Sequence, residues 1–373
     1  MRARDLPIGT GIPGPHDAIT DVAGVRVGHC TIVQGEGPLR VGHGPVRTGV
    51  TVIEPTPSIW REPVFAGPHR LNGNGELTGL EWVRESGLLT TPIALTNSHS
   101  VGVVRDALVA HGLATRGPDD DLFWALPVVG ETWDGGLNDV NGLHVTPGHV
   151  EAAFADLAGG PVAEGAVGGG TGMICHGFKG GIGTASRLVA PEHGDFTVGV
   201  LVQANHGRRE RLAVNGVPVG RALGVEVVPE PRFPERRRPS GAGADELAGA
   251  GSIIVVVATD APLLPHQCAR LAQRAALGIA RTGGVGEHTS GDIALCFATG
   301  NGGLSAGEIG RPGPVTLPLT MLADDHITPL FEATVEATEA AIVNALLGAE
   351  TMTGADGVTA HALPHDRLLA LLR

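Results

Sequence analysis

Residues 251–272 read GSIIVVVATDAPLLPHQCARLA, which is an apolar run, a break and then a helical pattern. The run 252–258 is continuous and rich in β-branched residues, as is typical of a buried strand. Aspartate and proline interrupt it, and 265–280 then repeats apolar residues at helical spacing. This stretch therefore predicts a buried strand followed by a helix.

The rest of the chain alternates between short apolar runs and helical patterns. After a hairpin-like start at 18–33, strands are predicted at 48–54, 92–96, 126–130, 196–204 and 293–298. Helices are predicted at 76–87, from about 103 to 111, at 147–158 and at 329–347. Buried strands mixed with helices indicate an α/β or α+β layered fold.

Segment 228–251 interrupts this pattern just before the apolar run. It reads VPEPRFPERRRPSGAGADELAGAG, with four prolines, an arginine run and small residues that have little to bury. Such a composition is typical of a linker or an exposed loop. Ser252 consequently lies at the junction between a linker and a buried strand.

The composition excludes several classes of protein. The chain has 373 residues, 42% of them hydrophobic, which is enough for a sizeable core. A net charge of −13, with 8 Phe, 4 Trp and no Tyr, argues against nucleic-acid binding. No apolar run approaches the length of a membrane span, and the first residues lack the apolar segment of a signal peptide. Four widely separated cysteines are expected to be reduced, which favours a cytoplasmic location.

None of the short cofactor motifs has the context that it needs. Residues 9–14 match GxGxxG but follow no predicted strand and contain Pro13. The glycine-rich stretch 168–183 contains Lys179, the only lysine, but Gly180 follows where a phosphate-binding loop has Ser or Thr. Close backbone packing is the favoured interpretation of these glycines, and a substrate-lining loop is the other one.

The sequence also lacks a recognisable metal motif. The chain has no HExxH, and the acidic cluster 324–326 precedes a predicted helix, where negative charge interacts favourably with the N-terminal end of the helix dipole. We expect no metal.

Ser252 is a candidate nucleophile on chemical grounds. If the peptide bond before it is cut, its hydroxyl and a free α-amino group lie on one residue. An α-amine has a pKa of about 7.7–8.0, so it can act as a general base near neutral pH. Taken alone, a serine at the start of a strand is more often structural.

Several blocks of sequence extend this hypothesis to nearly the whole chain. Stretch 251–272 resembles the start of the small subunit in the L-aminopeptidase/D-esterase–amidase family, which includes the β-peptidyl aminopeptidases. The resemblance continues, in the family's order, through GETWDGGLNDVNG (130–142), EGAVGGGTGMICHGFKGGIGTASR (164–187), GVLVQANHGRR (199–209), TSGDIALCFAT (289–299) and NALLGAETMTG (344–354). It implies a four-layer αββα sandwich that looks like the N-terminal-nucleophile hydrolases but has its own connectivity.

The resemblance also implies self-cleavage. Members of the family are made as inactive precursors that cut themselves between a glycine and a serine, here Gly251 and Ser252. The products would be a large subunit, residues 1–251, and a small subunit, residues 252–373, which together form one structural domain. Because Gly251 lacks a Cβ, it suits the strained backbone that such an attack needs. Members form homo-oligomers of the two-subunit unit and need no cofactor.

The same resemblance assigns roles to four residues near the reacting bond. Ser252 becomes the nucleophile of the mature enzyme, and Ser290 and Asp292 match positions that orient and tune it. Asn205 matches a residue whose side-chain amide helps to stabilise the oxyanion, a role that is typically worth about 10²–10³ in rate.

Two more residues concern the substrate. Glu131 matches a carboxylate that receives the free amino group of the substrate, and its position after an apolar strand places it at a pocket mouth. Trp133 departs from the family, because some members have a tyrosine there with its hydroxyl near the oxyanion. Tryptophan offers one N–H donor and a wide apolar face, so the site is expected to be shaped differently.

Two other functions remain open at this stage. A self-processing amino-acid acyltransferase would share the covalent intermediate, although such enzymes usually cut before threonine. An uncleaved, non-catalytic binding protein is the second alternative. For the main hypothesis the substrate is a small peptide, amide or ester with a free amino group. The sequence does not distinguish an α-peptide, a β-peptide, a D-amino-acid amide or an ester.

Overall fold

Two β-sheets form the middle of the molecule. The structure, a computed structural model, describes residues 1–115, 123–235, 251–305 and 314–373. Its strands are β1 (Arg26–Gln34), β2 (Val46–Glu54), β3 (Val64–Gly73), β4 (Leu88–Leu89), β5 (Ile93–Asn97), β6 (Val128–Thr132), β7 (Ile174–Cys175), β8 (Phe178–Lys179), β9 (Gly181–Leu188), β10 (Thr197–Asn205), β11 (Ser252–Thr259), β12 (Gly291–Ala298), β13 (Met352–Thr353) and β14 (Thr359–Ala360).

Helices cover the outer faces of both sheets. The α-helices are α1 (Leu80–Ser86), α2 (Val101–Ala114), α3 (Pro147–Ala155), α4 (Val219–Ala222), α5 (Pro265–Arg281), α6 (Thr328–Leu347) and α7 (His365–Leu371), and the outer faces are covered by α2, α3, α5 and α6. The larger sheet has the order β4-β3-β12-β11-β10-β9, and α5 and α6 pack on it. The smaller sheet has the order β1-β2-β5-β6, and α2 and α3 pack on it.

A shared apolar core joins the two sheets face to face. It includes Ile53, Ile93 and Leu95 from the smaller sheet and Ile254, Val256 and Leu295 from the larger one. Separate cores lie between each sheet and its helices. The order of layers is therefore helix, sheet, sheet, helix, and the expected αββα sandwich is confirmed.

Strand β11 is apolar at every position from Ile253 to Ala258 because both of its faces are covered. Ile253, Val255 and Val257 belong to the core under the helices, whereas Ile254 and Val256 belong to the core between the sheets. Successive side chains of a strand point to opposite faces, and here both faces are covered. The strand pairs antiparallel with β10 and parallel with β12, so it lies inside the sheet.

The glycines of stretch 168–183 pack closely against neighbouring backbone. At Gly183, on β9, an added Cβ would lie 2.0 Å from the carbonyl oxygen of Ala341 in α6. Any larger residue would push the buried helix α6 away from the sheet. This agrees with the packing interpretation of the glycine-rich sequence.

Two predicted elements are shifted in ways that affect the site. The pattern at 76–87 predicts a helix, but α1 begins only at Leu80, because residues 77 and 78 pair with β6. The apolar run at 126–130 corresponds to β6, which is Val128–Thr132. Glu131 is therefore buried within strand β6 and does not follow the strand, as the shorter predicted run would have it.

The linker predicted at 228–251 is described only in part. Residues 228–235 and 251 of the predicted linker are described, while 236–250 lie outside the described residues. Among the helices that the structure describes, none has the length and apolar character to cross a membrane.

Candidate active site

Strand pairing brings the start of β11 together with the end of β10 and the start of β12. Asn205 is the register partner of Ser252 across the antiparallel pair. Ile253 is the register partner of Asp292 across the parallel pair. Three residues that are far apart in the chain are thus collected at one end of the larger sheet.

Ser252 is held at the first position of β11 with little exposure. Its Oγ accepts a hydrogen bond from the backbone N–H of Gly291 at 3.0 Å. At Gly251, an added Cβ would lie 1.8 Å from the carbonyl oxygen of Asn205. Glycine is therefore required before Ser252 by the close approach of two strands, a reason that the sequence analysis did not anticipate.

Ser290 and Asp292 form a hydrogen-bonded pair beside Ser252. The Ser290 hydroxyl donates to Asp292 Oδ1 at 2.5 Å, and both residues are buried. Burial raises the pKa of the Asp292 carboxyl, and the hydrogen bond from Ser290 opposes this shift. A register shift in the pairing of β12 with β3 lies directly after Asp292, and such irregularities can re-aim a side chain.

The side-chain amide of Asn205 is fixed at both ends. Its Oδ1 accepts from the backbone N–H of Ile174 at 2.7 Å, and its Nδ2 donates to the carbonyl oxygen of Trp133 at 2.9 Å. An amide Nδ2 has two hydrogens, so one remains to donate toward a reacting carbonyl. The residue is thus oriented as a hydrogen-bond donor next to Ser252.

Glu131 presents a buried carboxylate from the end of β6. Its oxygens accept from the backbone N–H of Glu76 at 2.9 Å and from the hydroxyl of Ser98. Burial raises the pKa of this carboxyl, while the two hydrogen bonds oppose the shift. A cationic group that entered the site would pair with this partly desolvated acid.

One cavity of about 570 Å³ joins the proposed nucleophile to the carboxylate. Trp133 is the partly exposed aromatic residue of its wall, with 36% of its surface accessible. The lining residues are Asn74, Gly75, Glu76, Ser98, Glu131, Trp133, Gly251, Ser252 and Thr289. Ser290, Asp292 and Asn205 lie behind this wall, so all seven predicted site residues are close to one another or to the cavity.

Some residues of the site were missed by the sequence analysis. Ser98 follows strand β5, which is parallel to β6, so the ends of these neighbouring strands could have suggested its proximity to Glu131. Lys179 is fully buried, and its Nζ donates to the carbonyl oxygens of Gly170, Met173 and Gly180 at 3.3, 2.9 and 2.7 Å. It fixes the loop that carries Ile174, and nothing in the sequence indicates this role.

The described residues also include one group that could hold a metal. Cys175, His176 and His206 are buried together, and none of them lines the cavity. By contrast, the acidic turn at 324–326 uses Asp324 to accept hydrogen bonds from Gln267 and Arg270.

Comparison with known proteins places this site in a family. A family model described as Peptidase family S58 matches residues 17–360. The chain belongs to peptidase family S58. The resemblance found in the sequence is confirmed, and with it the expectation of a hydrolase of the serine aminopeptidase type.

Individual relatives match this chain over its full length. The chain is 48% identical to "Beta-peptidyl aminopeptidase BapA" of Sphingosinicella microcystinivorans, covering 100% of this chain and 92% of that protein. A solved structure titled "Burkholderia sp. beta-aminopeptidase" has a TM-score of 0.90 at 54% identity and covers 100% of this chain and 98% of the other.

A third relative bears on the fold of family S58. It is the L-aminopeptidase D-Ala-esterase/amidase of Ochrobactrum anthropi, with a TM-score of 0.87 at 44% identity, covering 100% of this chain and 98% of the other. Its title describes a prototype of the serine aminopeptidases and a new variant of the Ntn hydrolase fold. The expected similarity to the N-terminal-nucleophile hydrolases is therefore confirmed.

Proposed function

We propose that this chain is a self-processing aminopeptidase that hydrolyses amides, short peptides or esters with a free amino group. The observation that carries the proposal is the shared cavity, which has the Ser252 hydroxyl on one side and the Glu131 carboxylate on the other. A substrate whose ammonium group pairs with Glu131 would present its carbonyl toward Ser252. The distance between amine and carbonyl then selects the substrate.

The first proposed reaction is cleavage of the Gly251–Ser252 bond. Ser252 Oγ attacks the Gly251 carbonyl carbon, the C–N bond breaks, and the Ser252 nitrogen takes the proton, which leaves an ester. Water then hydrolyses the ester to the Gly251 carboxylate and the free Ser252 hydroxyl. The subunits 1–251 and 252–373 remain associated, because β10 and β11 are neighbouring strands of one sheet.

The second reaction uses the new N-terminus. Ser252 attacks the substrate carbonyl, and its own α-amine accepts the hydroxyl proton, since that amine titrates at about 7.7–8.0 in the absence of other effects. The bond from the carbonyl carbon to the leaving nitrogen or oxygen then breaks, the α-ammonium gives its proton to the leaving group, and an acyl ester remains on Ser252 Oγ. Water hydrolyses this ester, which releases the product acid and restores the Ser252 hydroxyl. Asn205 donates a hydrogen bond to the developing oxyanion. The pair formed by Ser290 and Asp292 holds the start of β11 and supplies negative charge beside the amine when Asp292 is ionised.

We expect free-amine substrates to be cleaved and their N-acetylated counterparts to resist. Glu131→Gln keeps the size and one acceptor oxygen but loses the charge. It should lower kcat/KM for an aminoacyl p-nitroanilide by about 10- to 100-fold, or roughly 1.4–2.7 kcal/mol for one charged hydrogen bond. Initial-rate kinetics on both substrates measure the effect.

Glu76→Gln is the matched control, because Glu76 lines the same cavity and its hydrogen bonds with Glu131 are made by its backbone, which the substitution leaves in place. It should retain most of the activity, and autocleavage should survive in both variants. Equal hydrolysis of the free and the acetylated substrate by the unmodified enzyme would overturn the aminopeptidase assignment.

We also propose that the two-subunit unit forms a homo-oligomer. Every second residue from 315 to 321 is apolar and exposed: Val315, Leu317, Leu319 and Met321. Such an apolar patch is typical of a protein interface, and a second copy of the chain would cover it.

Replacing Leu317 and Leu319 together by serine should weaken this association by at least about 100-fold, because burial of each leucine contributes about 1.5–3 kcal/mol. Light scattering after gel filtration measures the mass. The control is Val225→Ser, an exposed residue elsewhere. An unchanged mass in the double variant would show that the patch is not an interface.

A reducing compartment such as the cytoplasm is the location that we propose. The four cysteines are free, although Cys268 and Cys296 lie close enough to interact. Two neighbouring thiols remain free in a compartment whose redox potential keeps cysteines reduced.

A further inference from the structure

A cluster of three potential metal ligands adjoins Asn205, since His206 follows Asn205 in the chain and Cys175 follows its hydrogen-bond partner Ile174. Cys175, His176 and His206 each offer one ligand atom, and these atoms lie within 4.8 Å of one another. All three residues are buried, and none of them lines the substrate cavity. We propose that this cluster binds one zinc ion and that zinc binding inhibits hydrolysis at Ser252; the inhibition rests on the proposed function, whereas the binding does not.

The two imidazoles are in a state that can bind a metal. Nδ1 of His176 lies 3.1 Å from the carbonyl oxygen of Arg208, so this nitrogen carries the hydrogen and Nε2 has a free lone pair. Within the described part of the chain, Nε2 of His176 and Nε2 of His206 have no hydrogen-bond partner.

A backbone carbonyl that accepts from the second ring nitrogen is a common feature of metal-binding histidines. It fixes the tautomer and the orientation of the ring before the metal arrives. His176 therefore already has the support that a ligand needs, and a metal would supply the partner that its Nε2 lacks.

The spacing of the cluster suits zinc after a small movement. Cys175 Sγ lies 3.8 Å from Nδ1 of His206. Tetrahedral zinc with bonds of about 2.3 Å to sulfur and 2.0–2.1 Å to nitrogen separates these ligand atoms by roughly 3.5 Å. A narrow crevice lined by Gly207, Gly284 and Glu287 borders His206 and gives a route for the ion.

Binding is expected to be reversible. The Cys175 thiol must release its proton to solvent as the sulfur–zinc bond forms, although this thiol is fully buried. Lys179, which is near the thiol, and Arg209, whose guanidinium donates to the His176 carbonyl oxygen at 3.0 Å, add positive charge. These terms weaken the affinity for a dication, so we expect a regulatory or inhibitory site and not a permanent structural one.

The link to catalysis is the backbone on either side of Asn205. Cys175 follows Ile174, whose N–H binds Asn205 Oδ1, and His206 follows Asn205 itself. A metal that draws Cys175 and His206 together would move both ends of this hydrogen bond. A displacement of about 1 Å in a catalytic group can lower the rate by about 10²-fold.

The experiment uses the processed enzyme and cobalt(II) as a spectroscopic probe. We expect one equivalent of cobalt to give a thiolate-to-metal charge-transfer band, and zinc to remove the band by displacement. X-ray absorption of the zinc-loaded enzyme should show one sulfur at about 2.3 Å and nitrogens at about 2.0–2.1 Å. Saturating zinc should lower kcat by about 10²-fold with little change in KM.

Variants separate this cluster from other zinc sites. Cys175→Ala and His206→Phe should lose the cobalt band, and Cys175→Ala should lose most of the zinc inhibition. Cys30→Ala is the control, since Cys30 is a free cysteine on β1 and lies outside the cluster; it should retain the band, the inhibition and the basal activity.

Two outcomes would overturn the proposal. Zinc without a sulfur neighbour in the X-ray absorption spectrum would place the ion elsewhere, and this measurement needs no variant to fold. If zinc inhibits Cys175→Ala as strongly as it inhibits the unmodified enzyme, the inhibition must arise at the carboxylates of the cavity and not at this cluster. A cobalt band in an enzyme without hydrolytic activity would retain the metal site and reject the proposed function.

Discussion

Ser252→Ala is expected to remain a single uncut chain and to lose hydrolysis by about 10⁴-fold or more. The variant lacks the hydroxyl that attacks Gly251, so the ester cannot form and the α-amine is never released. Without cleavage the mature enzyme has neither its nucleophile nor its base, and loss of a nucleophile typically has an effect of this size. Ser252 contributes one hydrogen-bond acceptor to Gly291, so the fold should survive.

Because the chain has a single lysine, self-cleavage can be measured directly by counting labelled α-amines. Lys179 is fully buried, so an amine-acylating reagent applied to the folded protein should label α-amines alone. Mass spectrometry should find one more label per unit in the processed wild type than in Ser252→Ala. Ser252→Cys keeps a nucleophile and should still be cut. Cleavage of Ser252→Ala at residue 251 would contradict the intramolecular mechanism.

The strands and the layer order could be predicted because burial leaves a local pattern. Strand β11 is apolar from Ile253 to Ala258, since both of its faces are covered, and the continuous apolar run in the sequence predicts such a strand. The helical pattern at 76–87 was less reliable. Residues 77 and 78 pair with β6, and such a tertiary contact leaves no trace in the local periodicity.

The sequence predicts which residues belong to the candidate site, but it does not predict the contacts between them. Ser252 stands out in the sequence because a linker meets a strand there. Its pairing with Asn205 and the pairing of Ile253 with Asp292 are matters of register, which depends on how whole strands pack. The contacts of Glu131 are of the same kind, since Ser98 and Glu76 reach it from separate elements.

Asn205→Ala is expected to lower kcat by about 10²–10³-fold with a smaller change in KM. The Nδ2 hydrogen that is not used by the Trp133 carbonyl is the proposed oxyanion donor. A donor of this kind acts most strongly on the charge that develops in the transition state, so its removal affects kcat more than substrate binding. Autocleavage should slow as well, because the attack on Gly251 forms the same kind of oxyanion.

Asn344→Ala separates this effect from a loss of stability. Asn344 is buried in α6 and bridges two backbone groups as Asn205 does: its Oδ1 accepts from the Ala3 N–H at 2.6 Å, and its Nδ2 donates to the Thr184 carbonyl oxygen at 2.7 Å. Each alanine variant leaves two backbone groups without their side-chain partner, partly buried groups in Asn205→Ala and buried groups in Asn344→Ala, so both should lower the melting temperature. Only Asn205→Ala should lower kcat at a temperature where both are folded. If the two variants lose kcat equally, Asn205 acts through the fold, and the oxyanion donor must be sought in another group of the cavity wall, with the indole N–H of Trp133 as the next candidate.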